Sequence, residues 1–332
     1  MSKFHYPKTR ADWLALRALY VSSTESAALF GMSPYLTAFE LWHQKHSKDT
    51  SSIDMNERME WGLVMERTIA KMVSLKYGVK VRNLSAYVVH DATRMGASFD
   101  YEIVGIELPE GENGEAPPPI EDTILQDLYN QHGAGCLEIK NVDWMVFKEQ
   151  WSTGSGEGEA PQAPEHIEVQ VQHQQECIDR EWTAIAALVG GNRLFMIPRL
   201  RDREVGAALV RRITEFWKTV EDGTAPSPIL PADAEFIGKL YGYSEVGKLI
   251  DLRGNSVITA LCDDYKAASE AATKADENKK SAKAELLMAI GDAEKVLVDG
   301  YKISAGMIAD AEIPAYTRKG YRNVRITKEK SK

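Results

Sequence analysis

Apolar positions along the chain follow two periods, and the change from one to the other predicts the elements. Met65, Ile69, Met72 and Val73 recur at helical spacing, so residues 55–77 are predicted to form an amphipathic helix. The same periods, with the turn residues between them, predict helices over 10–50 with a break at Gly31-Met-Ser-Pro-Tyr, strands over 79–105, a strand over 135–150, a helix over 165–189, a strand over Arg193–Pro198 and a helix over 203–222.

Predicted strands and helices alternate over residues 1–225, which we assign to one domain. Within it, Tyr87–His90 and the segment that ends at Asp100 are expected to pair as a hairpin. Two segments rich in Gly, Pro and Ser interrupt the pattern at about 106–134 and 151–164. We interpret both as acidic insertions, the first with a short helix near residues 124–130.

A Pro- and Ala-rich stretch separates this domain from residues 233–332, which are predicted to form a C-terminal accessory region. A long helix rich in Ala, Lys and Glu is expected over 257–291, where Leu261, Tyr265 and Ala268 follow helical spacing. The spacing favours a coiled-coil-like unit for assembly, and the basic end of the chain is the argument for a DNA or partner contact instead. Hairpin strands are predicted around two turns, Asp299-Gly300 and Lys319-Gly320.

Composition indicates a soluble cytoplasmic protein. Of 332 residues, 44% are hydrophobic and 27% are charged, and the sequence contains no apolar run of membrane-spanning length. The polar start does not resemble a signal peptide. The three scattered cysteines lack any Cys-x-x-Cys, which is typical of reduced thiols and argues against an iron–sulfur cluster.

The net charge of −9 is unevenly distributed. Residues 102–127 contain eight acids and residues 151–168 contain four, with no Lys or Arg in either segment. Outside these segments the chain has 37 acids and 40 bases, a net charge of +3. The overall charge therefore does not exclude a nucleic-acid substrate.

Three charged residues carry the candidate chemistry. Glu138 and Lys140 lie two apart in a predicted strand, so they project from one face while Ile139 points into the core. Asp100 ends another strand-like segment, and two carboxylates on neighbouring strands can hold a divalent cation. A lysine beside such a metal can position or deprotonate a water molecule, and this arrangement is known from enzymes that hydrolyse phosphodiesters. The alternative is a half-exposed strand with alternating charges.

Five stretches in order resemble the YqaJ-like viral recombinase nucleases, the family of phage lambda exonuclease, within the PD-(D/E)XK fold. The resemblance covers roughly residues 10–220. The five stretches are Arg17 to Tyr35 with Thr24-Glu25 and a Gly-x-Ser-Pro-Tyr motif, Gly62-Leu-Val-Met-Glu66, Ser98-Phe99-Asp100, Glu138-Ile139-Lys140, and Gln170-Val171-Gln172.

The resemblance implies an α/β (α+β) fold with a restriction-endonuclease-like core, in which helices flank a central mixed sheet. It also implies a set of site residues. The implied metal is Mg²⁺, with Mn²⁺ as a substitute, held by Asp100, Glu138 and the carbonyl of Ile139. The implied catalytic residues are Glu66, Asp100, Glu138, Lys140 and Gln172.

A second implied group, Arg17, Thr24 and Ser98, would hold the 5′-terminal phosphate of DNA, and guanidinium and hydroxyl groups suit phosphate oxygens. Thr24 stands where the family has Ser, and it is also a candidate helix N-cap.

The implied activity is 5′→3′ digestion of duplex DNA ends, which leaves 3′ single strands for a phage annealing protein in a bacterial host. Family members can form a ring-shaped homotrimer. The alternatives are a structure-selective endonuclease and a catalytically inactive DNA-binding or assembly protein on the same fold.

Overall fold

The computed structural model describes residues 2–48, 57–107, 120–151, 161–310, 317 and 322–327. The chain divides into two compact units, Met1–Phe236 and Ile237–Lys332. Residues 108–119 and 152–160 of the two acidic segments, and the predicted Lys319-Gly320 turn, lie outside the described residues.

The first unit contains nine strands among its described residues. In chain order they are β1 (Ser2–His5), β2 (Val21–Ser22), β3 (Val79–Asn83), β4 (Tyr87–His90), β5 (Met95–Ser98), β6 (Tyr101–Ile106), β7 (Gly135–Val142), β8 (Trp182–Val189) and β9 (Arg193–Leu200).

Helices precede, separate and follow these strands. They are α1 (Arg10–Leu19), a short 3₁₀ helix (Ser26–Phe30), α2 (Ala38–Ser47), α3 (Glu57–Tyr77), α4 (Ile120–His132), α5 (Trp144–Gln150), α6 (Glu165–Ile178) and α7 (Arg203–Glu221), and α8 (Ala234–Leu240) crosses the division between the units.

A five-stranded sheet in the order β3-β6-β7-β8-β9 forms the centre of the first unit. Only β7 and β8 are parallel, so the sheet is mixed, as predicted. Side chains of α3 and α4 share a core with Ala184 and Ala186 on one face of β8. Those of α5 and α6 share a core with Ile185 and Ala187 on the other face. The predicted α/β core flanked by helices is therefore confirmed.

A second sheet, in the order β1-β4-β5-β2, packs beside the first. Its Val88 and Met95 share a core with Leu209, Ile213 and Trp217 of α7. α6 contacts strands of both sheets, namely β4 and β5 of one and β8 of the other. Since α6 lies between the two sheets, its opposite faces meet different parts of the molecule.

Several predicted elements are confirmed. The hairpin of β4 and β5 pairs Tyr87 with Ser98 and His90 with Met95. The amphipathic helix at 55–77 is α3, and the short helix expected in the first insertion lies within α4.

The prediction of one helix over 165–189 is wrong. α6 ends at Ile178 because Asp179 takes a left-handed conformation with φ 60°. Trp182–Val189 then forms β8, which pairs with β7 on one side and with β9 on the other. Helices cover both of its faces, so the strand is almost wholly buried. Such a strand is a continuous apolar run, and periodicity alone does not separate it from a buried helix.

The strand predicted over 135–150 is also too long. β7 ends at Val142, and the carboxylate of Asp143 accepts hydrogen bonds from the backbone N–H groups of Met145 and Val146. This N-cap satisfies donors at the first turn of α5. Asp143 therefore converts the second half of the predicted strand into a helix.

The second unit contains α9 (Ser256–Ile290) and an antiparallel hairpin of β10 (Lys295–Val298) and β11 (Tyr301–Ser304). Both the long helix and the turn at Asp299-Gly300 were predicted. Asn255 caps α9 by accepting from two backbone N–H groups. Across the parts of the chain that the structure describes, no helix combines the length and apolarity needed to cross a membrane.

Candidate active site

Eight of the nine residues predicted for the site line one cavity of about 730 Å³. Some of the lining residues come from β7, from the last residue of β5 and from the turn before β6. Others come from α1, from α3 and from the segment after β2. The eight are Arg17, Thr24, Glu66, Ser98, Asp100, Glu138, Ile139 and Lys140.

Asp100 lies at the bend between β5 and β6, where sheet pairing brings it to β7. Tyr101 pairs with Leu137 in the antiparallel ladder, so the preceding Asp100 falls beside Glu138 and Ile139. The backbone N–H of Ile139 donates to Asp100 Oδ2 at 2.7 Å. The two predicted carboxylates therefore face the same part of the cavity.

Glu138 and Lys140 project from the same face of β7, as their spacing predicts. Lys140 Nζ lies 2.6 Å from Glu138 Oε1. The Ile139 side chain between them is buried in the core that α3 and α4 cover. The Glu138 side chain is 5% exposed and that of Lys140 is 24% exposed, so the ion pair is largely shielded from solvent and Lys140 is the more accessible partner.

Two glutamines of α6 fix the Glu138 carboxylate. Gln170 Nε2 donates to Glu138 Oε1 at 2.7 Å, and Gln174 Nε2 donates to Oε2 at 2.7 Å. Lys140 Nζ also donates to Gln170 Oε1 at 3.2 Å. Gln170 and Gln174 are four residues apart and therefore share one face of the helix. Gln170 lies in the motif that resembles the family, but neither Gln170 nor Gln174 was among the predicted site residues.

Gln172 is not at the site, which corrects the prediction. Its Nε2 donates to the carbonyl of Leu200 at 2.9 Å, and its Oε1 accepts from the N–H of Asp202 at 2.8 Å. A helix turns about 100° per residue, so a residue two positions from Gln170 points to the opposite side. The Gln-x-Gln pattern does not say which glutamine faces the strand, because that depends on how α6 packs.

Glu66 reaches the cavity from α3, one turn after Gly62. Burial raises its pKa, and the nearby charge of Glu138 adds to the effect. Gly62 also lines the cavity, and a Cβ built on it would meet no atom within 4 Å. Gly62 therefore leaves open space beside the carboxylates.

The electrostatics of the site favour a cation. Burial raises the pKa of Asp100 well above its ordinary value, and the negative charges of Glu138 and Glu66 raise it further. Burial opposes the charge on Lys140, but the carboxylates of Glu138 and Asp100 outweigh that effect and raise its pKa. Three carboxyl groups therefore share one ammonium group, and the excess negative charge is unfavourable without a further positive ion.

The donor set suits Mg²⁺. No group of three or more His, Cys, Asp or Glu side chains arranged to hold a metal occurs in the described ranges. Asp100 and Glu138 offer carboxylate oxygens and Ile139 offers a backbone carbonyl. Mg²⁺ is commonly bound through one or two carboxylates while it keeps waters and substrate phosphate oxygens as its other ligands. The residues present therefore fit this ion.

The residues predicted to bind phosphate, Arg17, Thr24 and Ser98, line the same cavity. The parallel pairing of β2 with β5 sets Ser22 opposite Gly96, which brings Thr24 towards Ser98. Arg17 Nη2 donates to Ser22 Oγ at 3.0 Å and to Thr24 Oγ1 at 3.4 Å. Thr24 does not cap a helix, because the 3₁₀ helix that follows has no side-chain cap.

Four further residues support this group. Trp13 Nε1 donates to Ser98 Oγ at 2.9 Å, and the Arg17 guanidinium lies 4.8 Å from the centre of the Trp13 ring. Ser22 joins Arg17 and Thr24 by hydrogen bonds. Glu25 and Lys45 form a buried ion pair behind Arg17. The position of Trp13, one helical turn before Arg17, could have been used to predict from the sequence that the two side chains lie together. The role of Lys45 depends on tertiary packing and could not be predicted in this way.

Comparison with known proteins finds one similar curated sequence and several similar solved structures. The uncharacterized protein YqaJ of Bacillus subtilis (strain 168) is 28% identical over 249 residues, covering 74% of this chain and 67% of that protein. An alkaline exonuclease (LHK-Exo) from Laribacter hongkongensis has a TM-score of 0.41 and 15% identity, covering 69% of this chain and 97% of that chain. The structure of LHK-Exo in complex with dAMP has a TM-score of 0.39 and 16% identity, with the same coverage.

A family model gives the clearest relationship. The model of the YqaJ-like viral recombinase domain matches residues 12–181, just over half of the chain. The matched range includes the cavity residues Arg17, Glu66, Glu138, Lys140 and Gln170. The chain belongs to the YqaJ-like viral recombinase family.

Proposed function

We propose that the protein is a Mg²⁺-dependent deoxyribonuclease that digests linear duplex DNA in the 5′→3′ direction and leaves 3′ single strands. The observation that carries the proposal is the shared cavity, which is lined both by the carboxylate–lysine group (Asp100, Glu138 and Lys140) and by the Arg17 group (Arg17, Ser22, Thr24 and Ser98). One group suits phosphodiester hydrolysis and the other suits a terminal phosphate. Membership of a recombinase family supports the same reaction.

The metal would be held by Asp100, Glu138 and the carbonyl of Ile139, with Mn²⁺ as a substitute ion. When bound, it supplies positive charge beside the scissile phosphate and lowers the pKa of a coordinated water. Gln170 and Gln174 hold both oxygens of Glu138 in position for this task. Outer contacts of this kind orient metal ligands and commonly matter for metal affinity.

Lys140 acts as a charged group in this proposal. Its raised pKa keeps the ammonium protonated, so it orients water and stabilises negative charge that develops on the phosphate oxygens. Glu66 faces the same region with a raised pKa, which suits a group that exchanges a proton with water in the cavity.

The Arg17 group would hold the 5′-terminal phosphate and so determine which phosphodiester bond lies next to Lys140. Arg17, Ser22, Thr24 and Ser98 provide a guanidinium and three hydroxyls in one place. Contacts to the sugar–phosphate backbone carry no base information, so digestion is expected to be independent of sequence.

The family resemblance supports three further parts of the proposal. The 3′ strand would pass to a phage single-strand annealing protein, and the enzyme would act in the cytoplasm of a bacterial host as a phage or prophage product. A ring-shaped homotrimer would account for processive digestion.

The test is digestion of linear duplexes labelled at one 5′ end, with either a phosphate or a hydroxyl at that end, and of closed circles. Wild type is compared with Lys140→Ala, Arg17→Ala and the control Lys148→Ala, a surface lysine of α5. We expect Mg²⁺-dependent release that prefers the 5′ phosphate, is lost in Lys140→Ala and persists in Lys148→Ala. Arg17→Ala should abolish the preference for phosphate.

Other outcomes identify the alternatives. Cutting of closed circles as fast as linear DNA, without an effect of Arg17→Ala, would indicate an endonuclease. Binding of DNA without metal-dependent cleavage of any substrate would indicate an inactive nuclease fold used for binding or assembly.

A further inference from the structure

The long helix α9 carries an exposed apolar face. None of its 35 residues is buried by the parts of the chain that the structure describes. Leu261 is 58% exposed, Tyr265 is 53% exposed and Leu286 is 42% exposed. An exposed row of large apolar side chains on a helix is typical of a surface that binds another helix.

The apolar positions repeat every seven residues. Successive spacings of three and four residues define a seam of a and d positions through most of the helix. The a positions are Ile258, Tyr265, Ala272, Lys279 and Leu286, and the d positions are Leu261, Ala268, Ala275, Ala282 and Ala289. Nine of these ten side chains are apolar, and the repeat extends over 32 residues, about 48 Å of helix.

We propose that α9 pairs with α9 of a second copy of this chain in an antiparallel coiled coil. In the register centred between Ala272 and Ala275, each a position faces a d position of the other copy. Tyr265 then faces Ala282, Ile258 faces Ala289 and Leu286 faces Leu261. Large side chains meet small ones in the first two layers, as close packing of knobs into holes requires.

Lys279 argues against the parallel arrangement. A parallel dimer would place Lys279 against Lys279 and Tyr265 against Tyr265, which joins like charges and crowds two rings in one layer. The antiparallel register places Lys279 against Ala268, about one turn from Asp264 of the second copy. A single polar residue in a seam commonly fixes register and orientation at some cost in stability.

The charges of α9 favour the same partner. Residues 256–273 contain three acids and one base, whereas residues 274–290 contain four bases and three acids. Antiparallel pairing places the acidic half of each copy beside the basic half of the other. The whole helix has six acids and five bases, so it lacks the excess of positive charge expected of a surface that tracks DNA.

The first experiment measures the mass of the full chain by sedimentation equilibrium over a wide concentration range. Ala272→Glu places a charge in the central layer, and Ala284→Glu makes the same change on the outer face of α9. Glu is nearly as good a helix former as Ala, so both variants should remain helical by circular dichroism. We expect Ala272→Glu to raise the dissociation constant about tenfold or more, and Ala284→Glu to leave it unchanged.

The second experiment tests direction by disulfide formation in a Cys262→Ser background. The pair Tyr265→Cys and Ala282→Cys in one chain should cross-link two copies, because those positions face each other in the antiparallel register. Ala282→Cys alone should not cross-link. Efficient cross-linking of the single variant would instead show a parallel pair and overturn the proposed arrangement.

Two outcomes would overturn self-association through α9, namely a wild-type chain that stays monomeric and an Ala272→Glu variant as large as Ala284→Glu. Association of the first unit does not confuse the result, since it is common to both variants. The proposal does not depend on nuclease activity, which should be unchanged per cavity in both variants.

Discussion

At the residue scale, the position of Arg17 depends on a buried carboxylate. Glu25 is 6% exposed, and its oxygens lie 2.8 Å from Arg17 Nη2 and 2.7 Å from Lys45 Nζ. Lys45 Nζ also donates to the carbonyl of Arg17 at 2.7 Å. Burial alone would raise the pKa of Glu25, but Lys45 and Arg17 lower it to about 2. Glu25 therefore stays ionised and holds the guanidinium from behind.

Glu25→Gln should lower the free energy of unfolding at neutral pH by on the order of 3 kcal/mol, because Lys45 would keep a buried charge without its partner. The wild-type contribution is fully present above the ordinary pKa near 4.5 and is lost as the pH falls towards about 2. The difference between wild type and variant should therefore shrink below pH 4.5. Denaturant titrations at several pH values measure it.

The control for this prediction is Glu215→Gln, which alters an exposed carboxylate of α7. It should change stability little at any pH. Equal stability of Glu25→Gln and wild type at neutral pH would show that the buried ion pair does not stabilise the Arg17 group.

Gln170 and Gln172 form a matched pair of the same residue type on one helix. Gln170→Ala removes a donor to Glu138, so we expect DNA cleavage to fall about 10- to 100-fold with little loss of stability. Gln172→Ala removes the side-chain partner of the Asp202 N–H and of the Leu200 carbonyl at partly buried positions, so we expect destabilisation of about 1 kcal/mol and near-normal cleavage. Initial rates and thermal melts distinguish the two, and a reversed pattern would contradict the structure.

The predicted residues that the structure brings to the cavity follow local spacing rules. Glu138 and Lys140 follow the two-residue repeat of a strand, and Ser98 precedes Asp100 by the same spacing. Gln172 does not line the cavity, although its motif predicted that it would. The motif lies on a helix with glutamines on several faces, so the rotation of α6 against β7 decides which glutamine reaches Glu138. Local pattern predicts which side chains project together, and only packing decides which partner they meet.

At the element scale, α3 supplies an opening beside the carboxylates. Gly62→Ala should stabilise the helix by about 1 kcal/mol, because Ala has the higher helix propensity and its Cβ meets no atom within 4 Å. The same methyl group would narrow the cavity next to Glu66, so we expect cleavage of duplex DNA to fall several-fold. Melting temperature and cleavage rate are measured on the same variant.

The matched control is Gly238→Ala in α8, where a Cβ also meets no atom within 4 Å and which is not among the residues that line the cavity. It should be stabilised with unchanged cleavage. Faster cleavage in Gly62→Ala would mean that the open space at Gly62 has no part in admitting DNA.

Two elements were predicted wrongly, for different physical reasons. Both faces of β8 are covered, so the polar alternation that normally identifies a strand is absent from its sequence. The strand β7 does alternate, at Glu138 and Lys140, and was predicted, but its end was missed because the N-cap role of Asp143 shows only once α5 is seen to follow. Asn255 has the same N-cap role at the start of α9, where the long helical pattern that follows makes the boundary evident.

At the scale of the whole molecule, uneven charge allows an acidic chain to present a site for a polyanion. The excess acid is concentrated in residues 102–127 and 151–168. These segments are not wholly loops, because Glu102 lies in β6 and is buried between Arg82 and Arg180. Within the cavity, Arg17 and Lys140 stand beside the carboxyl groups of Glu66, Asp100 and Glu138, so a polyanion would need the positive charge of Arg17 and of a bound cation to enter it.

Removal or addition of Mg²⁺ should change the stability of the whole molecule, because the ion would relieve repulsion among the carboxylates of Glu66, Asp100 and Glu138. Saturating Mg²⁺ at about 100 times its dissociation constant should stabilise the fold by about 2.7 kcal/mol, and EDTA should reverse this. The raised pKa of Asp100 means that protons compete with the ion, so the melting shift should shrink as the pH is lowered. Asp100→Asn should lose the shift while Ser98→Ala keeps it. An equal shift in both variants would place the ion elsewhere.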